Sequence, residues 1–114
     1  MRGGVGCGRV VGVEAWLVLV VVYTERLAEC RAFYAGLGLG LVAERHGRGP
    51  AHFAAELGSG VVCEWYPVSE RVPATGAGLR LGVVVGVGSC GLSVGRHVVV
   101  DPDGRKVDVE VVER

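Results

Sequence analysis

The apolar positions along the chain come in short Val- and Leu-rich runs, and only one segment carries the wider spacing of a helix. Val13 to Tyr23 is the first run; its short, nearly continuous apolar character predicts a strand buried on both faces. Thr24 then offers a side-chain oxygen to the first free N–H groups of a helix, and Glu25 puts a negative charge in the first turn, where the helix dipole favours one. Leu27, Cys30, Phe33, Tyr34 and Leu37 recur at helical spacing, and Gly36 or Gly38 can close the last turn in the left-handed conformation. One amphipathic helix of about three turns is expected.

Beyond the helix the runs shorten again. Strands are predicted at Leu39–His46, Ala51–Leu57 and Val61–Tyr66, separated by a Gly-Arg-Gly-Pro turn and by Gly58-Ser59-Gly60. Pro67 ends the third, and the loop through Pro73 to Gly78 reads as a connector. Leu79–Val85 is a further strand. Arg96–Val100 and Arg105–Val112 form a hairpin around Asp101-Pro102-Asp103-Gly104, with proline and glycine where a type I turn followed by a bulge needs them. In the last strand Val107, Val109 and Val111 alternate with Lys106, Asp108 and Glu110, so one face is core and the other polar. The fold class is α+β.

Composition narrows the function. The chain has 114 residues, room for one compact domain, and a domain of this size buries about 65% of its extended surface, enough for a core without staples. Twelve basic residues balance 12 acidic ones, which argues against nucleic acid or an anionic membrane as partner, since phosphate binding runs on excess Lys and Arg. The longest apolar stretch, Ala15 to Tyr23, is nine residues, whereas a spanning helix needs about 20. Residues 1–12 read as a glycine-rich extension without the pattern of a signal peptide. Cys7, Cys30, Cys63 and Cys90 fit neither metal-finger nor redox spacing, and read as small hydrophobes in a reducing cytoplasm.

Several residues carry candidate chemistry. Gly86-Val87-Gly88-Ser89-Cys90-Gly91 matches the dinucleotide fingerprint as a string, but the helix that would aim its N-terminus at a pyrophosphate has no room before the Val98–Val100 strand, so the segment reads as a loop. His46, His52 and His97 show no two-histidine metal spacing on one element and read as turn or surface residues. His52 shares a strand face with Ala54 and Glu56, and touches a ligand if that face lines a pocket. Glu64 sits between Cys63 and Trp65 in an apolar strand, so it must face water, a partner or a cavity; Val62, Glu64 and Tyr66 share that face. Asp108 holds the same kind of position in the last strand. The two carboxylates either converge or lie on a solvated sheet face.

Two strings resemble a known family. Phe33-Tyr34-Ala35-Gly36-Leu37-Gly38-Leu39, after a strand and a helix start, resembles the first signature of the vicinal oxygen chelate superfamily, which includes glyoxalase I, extradiol dioxygenases and bleomycin-resistance proteins. Asp101-Pro102-Asp103-Gly104 before the final strand resembles its terminal signature. The resemblance spans residue 13 to the end and implies two βαβββ modules whose sheets curl around a cavity. Residues 13–114 then form a single glyoxalase-like domain, with 13–68 a complete module and 79–112 a shortened one. Between Leu79–Val85 and Val98–Val100 the family has a helix and another strand; here only Gly86 to His97 remain. The second module therefore lacks its helix and, by the same shortage, its next strand.

The resemblance also implies four metal positions, and the match to them is partial. Glu64 and Asp108 occupy two; Leu19 or a neighbouring Leu or Val occupies the first-strand position, and Arg80 the fourth. Leucine has no lone pair, and arginine only donates. Unit charges ~4 Å apart at an effective dielectric of ~20 interact by ~4 kcal/mol, so Arg80 would repel a divalent ion by several kcal/mol. The expectation is a glyoxalase-like protein that binds a small organic molecule through Glu64, Arg80, Asp108, Tyr66 and His52, without a catalytic metal or other cofactor. Arg80 would stand in for the cation, pairing with both carboxylates. The alternatives are a metal-dependent lyase or dioxygenase whose site is completed by His52 or a partner chain, and a module whose role is association. Val83–Val85 and Val98–Val100 are continuous apolar runs that predict a covered face, supplied by a second copy of the chain in a homodimer or by residues 1–13.

Overall fold

The computed structural model describes residues 14–113. The glycine-rich extension and Cys7 lie outside the described residues. Strand β1 (Leu19–Thr24) leads into helix α1 (Leu27–Gly36), followed by β2 (Leu41–Glu44), β3 (His52–Glu56), β4 (Val62–Pro67), β5 (Leu81–Gly86), β6 (Gly95–Val100) and β7 (Lys106–Val112). The strands form two mixed sheets. The first has the order β1-β4-β3-β2, with β1 parallel to β4 and the other pairs antiparallel; the second is β5-β7-β6, with β5 parallel to β7 and β6 antiparallel to it. The first sheet with α1 is a complete βαβββ module. The second repeats its strand order without the helix and without one strand, as the shortage of residues between Gly86 and His97 predicts.

Alternation decides which side chains reach the core. Val22, Cys63 and Trp65 from the first sheet, Val85, Val107, Val109 and Val111 from the second, Cys30 and Tyr34 from α1 and Leu37 just past its end form one buried cluster. The end of α1 is set by glycine chemistry. Leu37 is the C-cap, Gly38 follows at φ +109°, and the amides of Gly38 and Leu39 return to the carbonyls of Ala35 and Tyr34 at 3.0 and 3.1 Å, closing the paired C-terminal motif that left-handed glycine permits. Gly38 also has no space for a side chain: an added Cβ would stand 2.8 Å from Cβ of Ser89, in the loop that replaces the second helix.

The two sequence signatures meet in a buried polar knot. Tyr34 Oη donates to Asp101 Oδ2 at 2.6 Å, and Arg105 Nε donates to the same oxygen at 2.8 Å. Asp101 Oδ1 accepts the amides of Asp103 and Arg105, both at 2.9 Å, which builds the turn, and Gly104 completes it at φ +84°. Arg105 also reaches Asp103 Oδ2 and the Gly76 carbonyl and is fully buried. The sequence reading did not single it out.

Two expectations are corrected. Among the described residues the first strand begins at Leu19 and pairs only with β4, residues 14–18 precede it outside any strand, and Trp16, Leu17 and Leu19 are 75%, 70% and 50% exposed rather than buried on both faces; Val13 lies outside the described residues. Thr24 is not the N-cap: Arg26 is, and the buried Thr24 hydroxyl instead accepts the Arg26 amide at 2.9 Å one turn earlier. Within the single chain Val84, Val98 and Val100 on the second sheet are 65%, 56% and 58% exposed; of the two covers expected for this face, residues 1–13 lie outside the described residues and a second copy is not part of the structure.

Candidate functional site

Antiparallel register gathers one group of side chains on the first sheet. The hairpin between β2 and β3 places Glu44 opposite His52, and the β3–β4 pairing places Ala54 opposite Glu64. Residues two apart share a face, so His52, Glu44, Glu64 and Tyr66 project from the same side, away from Trp65 and the core. His46, just past the end of β2, turns back onto this side. The rings of Tyr23 and Tyr66 are 5.8 Å apart, those of Tyr66 and His52 are stacked at 4.0 Å and 10°, and those of His52 and His46 are 5.0 Å apart. Burial together with the Glu64 carboxylate pushes the Tyr66 phenol above its ordinary value.

Donor atoms converge under this stack. His52 Nε2 lies 3.3 Å from Glu44 Oε1 and 3.8 Å from Glu64 Oε2, and His46 Nε2 lies 3.3 Å from the same Glu44 oxygen. The four donors lie within 4.8 Å of one another. The His52 side chain is fully buried, Glu64 nearly so, and Glu44 and His46 open to solvent at the rim.

A second group stands on the other sheet. Arg80 makes a two-pronged ion pair with Asp108, Nε to Oδ2 at 2.7 Å and Nη2 to Oδ1 at 2.8 Å, with both side chains about half exposed. The hydrogen bond from Arg80 holds the Asp108 carboxyl below the usual carboxylate range. Beside the pair is an open recess of about 460 Å³, floored by Gly82, Val84 and Val98 and edged by Arg96, Asp108 and Glu110. A third hollow, about 280 Å³, lies between Tyr23, Tyr66 and the loop around Ser69 and Val72.

The predicted site residues thus fall into two sets. His52, Glu64 and Tyr66 are in mutual contact, Arg80 and Asp108 are paired, and among the described residues no ion pair joins the sets. Glu64 has His52 as partner where Arg80 was expected. Glu44 and His46 were missed, because only the observed β2–β3 register, in which the numbers of paired residues sum to 96, sets Glu44 opposite His52. The family's own metal positions do not fit an ion. Leu19 faces Val62, Val21 faces Glu64 and neither carries a lone pair, while Arg80 is a cation already committed to Asp108. The Gly86–Gly91 string is a loop turning between strands, as expected.

Other candidates are inert. Burial pushes the Cys30 and Cys63 thiols up to about 11, so both are protonated at neutral pH. Among the described residues no helix is long and apolar enough to cross a membrane.

No family model matches the sequence, and no curated protein matches it. Solved structures do match. VPC_CASS1, from the mobile metagenome of V. Pseudocholerae, superposes with a TM-score of 0.62 at 14% identity, covering 90% of this chain and 98% of that one. The antibiotic binding protein TnmS3 from Streptomyces sp. CB03234 gives 0.58 at 18% identity, with 86% and 96% covered. Lactoylglutathione lyase from Agrobacterium tumefaciens gives 0.51 at 15% identity, with 87% and 95% covered.

Proposed function

From the premise that the chain has the vicinal oxygen chelate fold, we propose that it is a small-molecule-binding protein of glyoxalase-like architecture, with no catalytic metal at the family's four positions. The observation that carries this reading is the recess on the second sheet. Its volume of about 460 Å³ falls within the range of small-ligand sites, ~300–1,000 Å³. Gly82 and the exposed faces of Val84 and Val98 offer an apolar floor, while Arg96, Asp108 and Glu110 offer charges of both signs at its edge. An amphipathic organic molecule with a flat apolar body and a polar or cationic group fits this lining. One matched fold is named for antibiotic binding and another for lactoylglutathione lysis, and both descriptions belong with a cavity that takes a small organic molecule.

The same face supports a homodimer as its working form in the cytoplasm. Val84 on β5 and Val98 and Val100 on β6 project into solvent from the two strands that flank β7, and a second copy laid over them would turn an open recess into an enclosed one. Sedimentation of the full chain should give a dimer, and Val98→Glu should shift it toward monomer; a strict monomer at high concentration removes the dimer from the reading. Ligand-observed NMR with a library of small aromatic amines and acids tests the binding. Hits should weaken with Val84→Lys and Asp108→Asn but persist with Glu64→Ala. A screen without hits would leave association as the role of the fold here.

A further inference from the structure

We propose that Glu44, His46, His52 and Glu64 bind one divalent transition-metal ion, zinc being the best match, on the open face of the first sheet. This site is separate from the second-sheet recess. Three of its four donors come from the β2–β3 hairpin, away from the positions that the family resemblance marks for metal.

Geometry carries the argument. A tetrahedral ion bound at ~2.0–2.2 Å holds its donors ~3.3–3.6 Å apart. The Glu44–His46 and Glu44–His52 donor pairs are 3.3 Å apart and the His52–Glu64 pair 3.8 Å, so small side-chain rotations close the shell. Two imidazoles with two carboxylates form a nitrogen–oxygen set that suits zinc and its neighbours better than calcium or magnesium, which prefer oxygen alone.

The hydrogen bonding of His52 is an independent observation pointing the same way. Its Nδ1 faces the Pro50 carbonyl at 3.2 Å, an acceptor. Its Nε2 faces Glu44 and Glu64, also acceptors. A neutral imidazole has one N–H and can satisfy only one of these directions. With the proton on Nδ1 donated to Pro50, Nε2 presents a lone pair among carboxylate oxygens, an arrangement that a cation completes. A backbone carbonyl that fixes the outer nitrogen is the usual support of a metal-bound histidine. The stacked Tyr66 ring holds the imidazole plane in place from one side.

The test is a titration of the chelator-treated full chain with Zn²⁺, followed by calorimetry and by ¹⁵N-detected histidine spectra, with Co²⁺ as an optical probe. One ion per chain is expected, with the visible absorption of tetrahedral cobalt and shifts at Nε2 of His46 and His52. His46→Ala, whose side chain is at the rim and whose loss leaves the core intact, should weaken zinc by more than the ~10–100-fold typical of an outer-shell partner. Glu44→Gln should do the same, and His97→Ala, on the other sheet, should change nothing. Binding that is absent, or equal in wild type and His46→Ala, or lost as much in His97→Ala, overturns the assignment.

Discussion

Tyr34 Oη lies 2.6 Å from Asp101 Oδ2 across 67 residues of sequence, so the two strings that mark the fold are halves of one contact. What joins them is structure and not ligand chemistry: the tyrosine fastens the helix of the complete module to the hairpin turn of the shortened one. Tyr34→Phe should therefore leave the ligand recess and the metal cluster untouched while costing about 1.5–3 kcal/mol, the value of a hydrogen bond to a charged group. Urea denaturation of the two proteins measures this directly, and a difference under about 0.5 kcal/mol would place the weight of the knot elsewhere.

Arg105 is the cation that lets two carboxylates be buried beside that tyrosine. Arg105→Met removes it and leaves Asp101 uncompensated, and breaking a buried ion pair in this way costs about 3–5 kcal/mol. Adding Asp101→Asn to that variant should recover part of the loss. Unchanged stability of the double variant relative to Arg105→Met alone would show that the charge is not the source of the cost.

Acid should act on the same knot. Burial alone would raise Asp103, but hydrogen bonds from Thr24 and Arg105 outweigh it and hold its carboxyl below the usual range. A carboxylate lowered in the folded state contributes stability that is complete above its unfolded value of ~3.9 and is lost as pH falls through the lower folded value. Thermal midpoints should thus decline below about pH 4, and Asp103→Asn should flatten that part of the curve.

Gly38 is required twice, by its φ of +109° and by the 2.8 Å that a Cβ would leave to Ser89. Gly38→Ala should destabilise by about 2 kcal/mol or more. Gly40, exposed and with open space at its Cβ position, is the matched control; Gly40→Ala should change stability by no more than about 0.5 kcal/mol. Equal effects at the two glycines would remove the backbone explanation.

Native alkylation provides a map of the core. Cys30 and Cys63, with thiols pushed up to about 11 by burial, should resist iodoacetamide at pH 7.5, whereas the only partly buried Cys90 should react faster. Peptide mass mapping distinguishes them. Modification of Cys63 as fast as Cys90 would mean that the first sheet opens readily.

What could be read from the sequence was whatever local chemistry decides. The helix from Leu27 follows from apolar spacing and a glycine stop, and the last hairpin from Pro102 and Gly104. The missing second helix follows from the shortage of residues after Gly86. The exposure of Trp16 and Leu17 was misread because an apolar run says nothing about whether a neighbour exists to cover it. Glu44 and His46 were overlooked for a related reason: each is ordinary alone, and only strand register brings them to His52. Arg105 looked like the polar start of a strand, since nothing in its own segment reveals the carboxylates and carbonyl waiting around it.

The close approach of Ser89 to Gly38 has a practical side. The smaller module has no autonomy here: its loop leans on the end of α1 and its turn is bolted to that helix through Tyr34. Cutting the connector between Pro67 and Leu79 would yield fragments that each keep one wall of the interior and one half of the bolt. Neither piece would stand as a protein in its own right, and mixing them should restore the whole.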